Sequence, residues 1–257
     1  MSRIESPVSA VGDAGSLFDP RAAEYDAIYD ARTGDGHALR ARMAATLRLA
    51  GRGPGAALDA GMGPGRLCDE LQRRDWVVSG VDASTEMVAL ARRRVPDAAE
   101  RLLVGSIEEL PFPDAGFDLA VATGVLEYSD ARRALAELRR VLKTGGRAVV
   151  SYPNAAAAYR LSKTLLVYPL VRAVKGSARQ PGPRGAGKIE PERFRDLLAS
   201  VGFEPIVQEY TSYLPLPAPL DLLLPRVAES AGRRVEGRGG RLAHRLAVQV
   251  LYTARKT

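Results

Sequence analysis

Between residues 56 and 152 the chain alternates short apolar runs with amphipathic stretches of about ten residues, and this alternation limits the fold more than any other feature. Ala56–Ala60 reads as a short buried strand, and Trp76–Asp82, Arg101–Gly105, Phe117–Thr123 and Arg147–Tyr152 read as further strands. Arg66–Arg74, the stretch through Met87 to Arg94, and Ala131–Leu142 read as helices between them. Strands joined through helices form βαβ units of a parallel sheet, and such sheets bind ligands beyond the carboxyl ends of their strands. The tail adds a helix at Pro191–Ser200, a strand at Phe203–Tyr210 and a closing strand at Ala247–Ala254.

Upstream, Ala22–Ala31 places Tyr25 and Tyr29 on one helical face. His37–Ala50 reads as a helix stopped by the glycines and proline of residues 51–55. Residues 1–20, rich in Ser, Gly, Asp and Pro, are expected to be a flexible leader, and they lack the pattern of a secretory signal. A single domain is expected over 21–257, with its core at 50–152 and 190–257. The 46% hydrophobic and 26% charged fractions exclude collagen-like, coiled-coil and wholly disordered chains. One cysteine, Cys68, cannot form an intramolecular disulfide. Without an apolar run of about 18 residues, the expected location is the cytoplasm.

The segment LDAGMGPGR at residues 58–66 carries the most chemical information. Gly61, Gly63 and Gly65 let the backbone turn after a strand and approach a ligand, and the next helix offers free N–H donors. Asp82 follows Gly65 by 17 residues, at the end of the next strand, where a carboxylate can accept both hydroxyls of a ribose. The loop is G-x-G-x-G with Asp59 two residues ahead, whereas dinucleotide sites use G-x-G-x-x-G beside an anionic pyrophosphate. An acidic loop suits a cation. S-adenosylmethionine, with its sulfonium, ammonium and adenosine, fits that charge pattern.

Five motifs in order, LDAGMGPGR (58–66), VDASTEM (81–87), GSIEELPFPD (105–114), FDLAVATGVLEYSD (117–130) and LKTGGRAVVSYP (142–153), resemble the class I S-adenosylmethionine-dependent methyltransferases. The likeness is strongest to the group that includes the ubiquinone and menaquinone biosynthesis enzymes, and it runs from about Tyr25 to Ser151. The resemblance implies a Rossmann-like seven-stranded sheet, mostly parallel with an antiparallel last strand and flanked by helices. It implies S-adenosylmethionine as cofactor, S-adenosylhomocysteine as product, and a small-molecule methyl acceptor. By the same resemblance Asp59, Gly61, Met62, Gly63 and Gly65 form the loop beside the methionine and ribose, and Asp82 holds the ribose. Ala83 and Met87 lie against the adenine, Ser106 and Ile107 at its edge, and Thr123 and Gly124 close the methionine side. Tyr25 is expected in a lid over the cofactor. Ser106 departs from the pattern, since relatives carry Asp there, and a neutral acceptor makes the weaker bond.

Methyl transfer from a sulfonium is an in-line displacement, so proximity and alignment supply much of the catalysis, and a base is needed only where the nucleophile must lose a proton. Glu127 and Tyr128 occupy the place of a Glu-His or His-His pair in many relatives, and with Tyr152 they are the catalytic candidates. Only His37 and His244 are present, far apart in sequence, and no metal set is expected from one cysteine and two distant histidines.

Residues 1–159 carry 20 Lys+Arg against 22 Asp+Glu, a balance of −2, while residues 160–257 carry 17 against 8, a balance of +9. The excess charge gathers in two stretches that break the alternation, about 153–189 and 213–246, read as insertions capping the substrate. Both are basic and leucine-rich, which suits an apolar or anionic quinone-, polyketide- or lipid-like acceptor methylated on oxygen or carbon. The same basic, apolar cap is expected to allow peripheral membrane contact. Residues 176–187 are expected to form a mobile entrance flap. Two rival readings stand: a nucleic-acid methyltransferase, disfavoured because no N/D-P-P-Y/F segment or aromatic basic groove is present, and a non-catalytic binder of the cofactor.

Overall fold

The computed structural model describes residue 15 and residues 17–163, 165, 189–236 and 243–257. Its centre is a seven-stranded sheet in the order β3-β2-β1-β4-β5-β7-β6. The strands are β1 (Gly55–Ala60), β2 (Trp76–Asp82), β3 (Leu102–Val104), β4 (Phe117–Ala122), β5 (Leu142–Pro153), β6 (Phe203–Tyr213) and β7 (Ala247–Lys256). β1 to β5 run parallel, and β7 enters antiparallel between β5 and β6. The expected mostly parallel sheet with an antiparallel last strand is the fold found.

The helices are α1 (Ala22–Ile28), α2 (Gly34–Ala50), α3 (Arg66–Gln72), α4 (Thr85–Arg94), α5 (Ala131–Val141), α6 (Ala158–Ser162), α7 (Pro191–Ser200), α8 (Leu220–Leu223), α9 (Pro225–Val235) and α10 (Ala243–Leu246). Three of their starts are set by side chains that satisfy free N–H groups. Thr33 accepts from Gly36, Ser84 from Met87, and Asp130 from Arg132 and Arg133. β1 and β4 bury continuous apolar runs because helices cover both faces of the sheet. One core layer gathers Leu58, Leu119's neighbour Ala120, Leu135, Leu138, Phe194 and Tyr252, and the opposite layer gathers Leu71, Val78, Val88, Leu119 and Leu251.

Two stretches differ from the sequence reading. β5 starts at Leu142, not Arg147, because its register against β4 jumps from Phe117↔Leu142 to Leu119↔Arg147, leaving a bulge at Lys143–Gly146. Ordered contacts begin before residue 20: Asp19 accepts from the Glu86 N–H, and the Phe18 ring meets Tyr25 and Tyr128. The described part of the second insertion forms α8 and α9, and α9 packs on α2 and β6. Most of the first insertion, including the expected flap at 176–187, lies outside the described residues.

Candidate active site

The carboxyl ends of β1, β2 and β4 open on a cleft. Asp59, Gly61, Met62, Gly63, Asp82, Ala83, Met87, Ser106, Ile107, Thr123, Gly124, Tyr25 and Tyr128 all line it. Segments far apart in sequence thus meet where the parallel sheet directs them.

The glycine loop follows β1 directly. Gly61 has φ +77°, and a Cβ there would stand 2.5 Å from the Val125 side chain, so this turn excludes any larger residue. Gly65 caps α3 in the left-handed conformation and lies outside the residues lining the cleft. Asp82 organises the loop: its carboxylate accepts from the Gly63 N–H at 2.8 Å and the Ser84 N–H at 2.9 Å. Burial raises the Asp82 pKa, while those backbone donors favour the anion. A carboxylate has about four acceptor sites, so these bonds do not exhaust it.

Asp59 is 2% exposed, and its Oδ2 accepts from the Cys68 thiol at 3.4 Å. Burial pushes its pKa to about 7 from the ordinary 3.8. Across the cleft stands Arg42, from the middle of α2, which the sequence reading missed. Burial alone would weaken the guanidinium's hold on its proton, but Tyr25, Tyr29 and Glu127 around it raise its pKa. A Cβ on Gly124 would lie 2.6 Å from Arg42 Nη1, so glycine is what allows the cation to approach the strand end.

An aromatic row closes the cleft. Tyr128, Phe18, Tyr25 and Tyr29 meet edge to face, with centroids 5.2 to 6.1 Å apart. α1, which carries Tyr25, is clamped by ion pairs: Asp26 takes Arg66 at 2.6 Å and Arg94 at 2.8 Å, and Arg66 also reaches Asp30 at 2.6 Å. Those guanidinium groups hold the Asp26 carboxyl below the usual carboxylate range against the opposing effect of burial.

The catalytic candidates separate. Tyr128 lines the cleft, and burial, with Glu127 and Tyr25 nearby, raises its phenol to about 12, so it stays protonated at neutral pH. Glu127, in the same short turn, points inward: it is 7% exposed and absent from the cleft wall, with its pKa raised by burial against the pull of Arg42 and Arg160. Tyr152 is outside the cleft, its ring stacked on Phe194 at 4.7 Å. Strand alternation puts Ser151 and Tyr152 on opposite faces of the sheet: the Ser151 Oγ accepts from the Gly124 N–H at 2.9 Å, and Tyr152 joins the core layer of Phe194 and Tyr252. His37 pairs with Glu236 at 3.3 Å, His244 packs near Tyr210, and neither lines the cleft. No group of three metal-binding side chains occurs among the described residues.

The residues fit a zwitterionic adenosyl sulfonium. The carboxylates of Asp82 and Asp59 and the guanidinium of Arg42 line one cleft, offering acceptors to hydroxyls and cations and donors to a carboxylate. Asp59 also sets the sign of a pH effect. A cationic ligand selects the ionised carboxylate, so S-adenosylhomocysteine, through its ammonium, should bind about tenfold more tightly at pH 8 than at pH 6, the ionised fraction rising through pH 7. In the ligand-free protein the sign is opposite, because the folded state holds a proton the unfolded chain has released: this contribution to stability is lost between about pH 4 and 7. Calorimetric titration at both pH values checks the first effect, and Asp59→Asn should flatten it.

Strand order, glycine loop and acidic β2 end together define an α/β protein of the nucleoside-cofactor methyltransferase class. The methyltransferase domain family matches residues 58–150. The chain is 34% identical over 169 residues to the ubiquinone/menaquinone biosynthesis C-methyltransferase of Geobacter sulfurreducens, a match spanning 58% of this chain and 64% of that protein. It is 33% identical over 205 residues to the demethylmenaquinone methyltransferase of Beutenbergia cavernae, spanning 77% of this chain and 81% of that one. In fold it is similar to a methyltransferase of Thermotoga maritima described as a possible histamine N-methyltransferase, with TM-score 0.65 and 22% identity over 95% of this chain and all of that one. The chain belongs to the class I S-adenosylmethionine-dependent methyltransferases.

Proposed function

We infer that the protein transfers the methyl group of S-adenosylmethionine to a small apolar or anionic molecule, at oxygen or carbon. One observation carries this reading: a single cleft holds Asp82, Asp59 and Arg42 at its inner wall and leaves an aromatic wall for a second molecule. When bound, the cofactor supplies an electrophilic methyl on a positively charged sulfur. The protein's own part is to bind and to align. Asp82 with Gly63 holds the ribose, Asp59 and Arg42 fix the amino-acid end, and Met87 and Ile107 give the adenine an apolar bed.

Phe18, Tyr25 and Tyr128 exclude water and present ring faces to an apolar acceptor. Tyr128 keeps its proton near pH 7, so it donates a hydrogen bond to the acceptor instead of removing a proton from it. With no histidine on the wall, the chemistry relies on alignment, which suits an acceptor atom that is already nucleophilic.

The test is incubation with S-adenosylmethionine and a panel of anionic, apolar acceptors, read as S-adenosylhomocysteine formed per enzyme. Turnover with at least one acceptor, lowered in Tyr128→Phe while S-adenosylhomocysteine affinity stays unchanged, supports the reading. Cofactor binding without turnover across the panel would leave a binder and overturn it.

A further inference from the structure

Leucines crowd the surface on one side of the fold. Leu161 is 59% exposed and Leu165 63%, and after Pro219 come Leu220, Leu222, Leu223 and Leu224, exposed by 46%, 62%, 71% and 50%, then Val227 at 51%. These residues belong to one neighbourhood. The Tyr159 hydroxyl on α6 meets Asp221 of α8 at 2.5 Å, the Ser162 hydroxyl accepts from the Ala218 N–H at 3.0 Å, and Tyr159 packs with Leu214 and Ala218 beneath. Soluble proteins seldom expose so large an apolar patch without a partner.

The charge around the patch is of one sign. Arg226 is exposed beside Val227, and Lys163 stands over the Tyr159 ring at 4.8 Å. The nearby carboxylates are withdrawn: Asp221 is 6% exposed against Tyr159, and Glu229, 4% exposed, is held by Arg40 at 3.0 Å and Arg32 at 3.4 Å. A second copy seated on this face through a twofold axis would set cation against cation. An anionic bilayer meets both properties, taking the leucines among its acyl chains and the cations among its headgroups.

We propose that the face formed by Leu161, Leu165 and residues 220–227 seats the protein peripherally on an anionic lipid surface. No described helix is long and apolar enough to cross a membrane, so the contact is one of surface residues. Arg160, the residue before Leu161 on α6, acts electrostatically on Glu127 and Tyr128. The seat does not rest on methyl transfer, and its test reads no activity.

The full chain is sedimented with vesicles of phosphatidylcholine alone and with about a third phosphatidylserine, beside Leu222→Ser/Leu223→Ser and Arg226→Glu. The expected result is at least about tenfold more bound protein on the anionic vesicles, reduced about tenfold or more by either variant and by raised salt. Equal or absent binding to both vesicles overturns the proposal. So does a dimer that dissociates in Leu222→Ser/Leu223→Ser, or a marked drop of melting temperature in that variant without vesicle binding, which would give the face to a second copy or to the chain's own residues 166–188.

Discussion

Arg42→Met is expected to lower the melting temperature by roughly 6–20 °C, from about 3–5 kcal/mol for removing one partner of a buried charge cluster and about 2–4 °C per kcal/mol at this size. The side chain is buried in α2 among Tyr25, Tyr29 and Glu127, and its removal takes from the buried Glu127 carboxyl the cation that acts on it most strongly, leaving Arg160. The loss should deepen as pH rises, because protonation of Glu127 relieves the unpaired charge at low pH. Glu127→Gln in the same chain should restore part of the stability, since an amide needs no counter-charge. Thermal unfolding of the two single variants and the double closes the cycle, and strictly additive losses would dissolve the coupling between these side chains.

Asp82→Ala should weaken S-adenosylhomocysteine binding by about 1.5–3 kcal/mol, the range for hydrogen bonds to a charged group, or roughly 10- to 150-fold. The proposed ribose contact and the loop geometry meet at this side chain, because it also holds the Gly63 and Ser84 N–H groups. Asp82→Asn keeps one acceptor oxygen and should lose less. Calorimetric titration measures both, and an affinity unchanged in Asp82→Ala would remove the ribose assignment.

The parallel half of the sheet was legible because burial on both faces writes apolar runs into β1 and β4, and the glycine loop because only glycine satisfies the turn at Gly61. Asp82 was legible by its spacing. Arg42 was not, since α2 mixes arginine with alanine and leucine and shows no clean apolar stripe from which a buried cation would stand out. Phe18 was lost in a segment whose composition resembles a leader, its role arising only from contact with Tyr25 and with Tyr128, far along the chain. Tyr152 illustrates the parity of a strand: neighbouring residues point to opposite faces, and this one joins the core aromatics Phe194 and Tyr252. The second insertion was legible as a departure from the alternation but not as a brace for α2, because its anchor, Glu229, works through Arg40 and Arg32, which lie 189 and 197 residues upstream.

β6 meets the rest of the sheet only through β7. During synthesis, the strands β1 to β5 can align as they leave the ribosome, but Phe203–Tyr213 has no neighbour to bond until residues 247–256 have followed. For that interval its row of amide groups is open to any extended chain nearby, a hazard of long-range pairing. Completion of the domain is therefore a single late insertion, with the last strand entering between an edge already built and a strand that has been waiting for it.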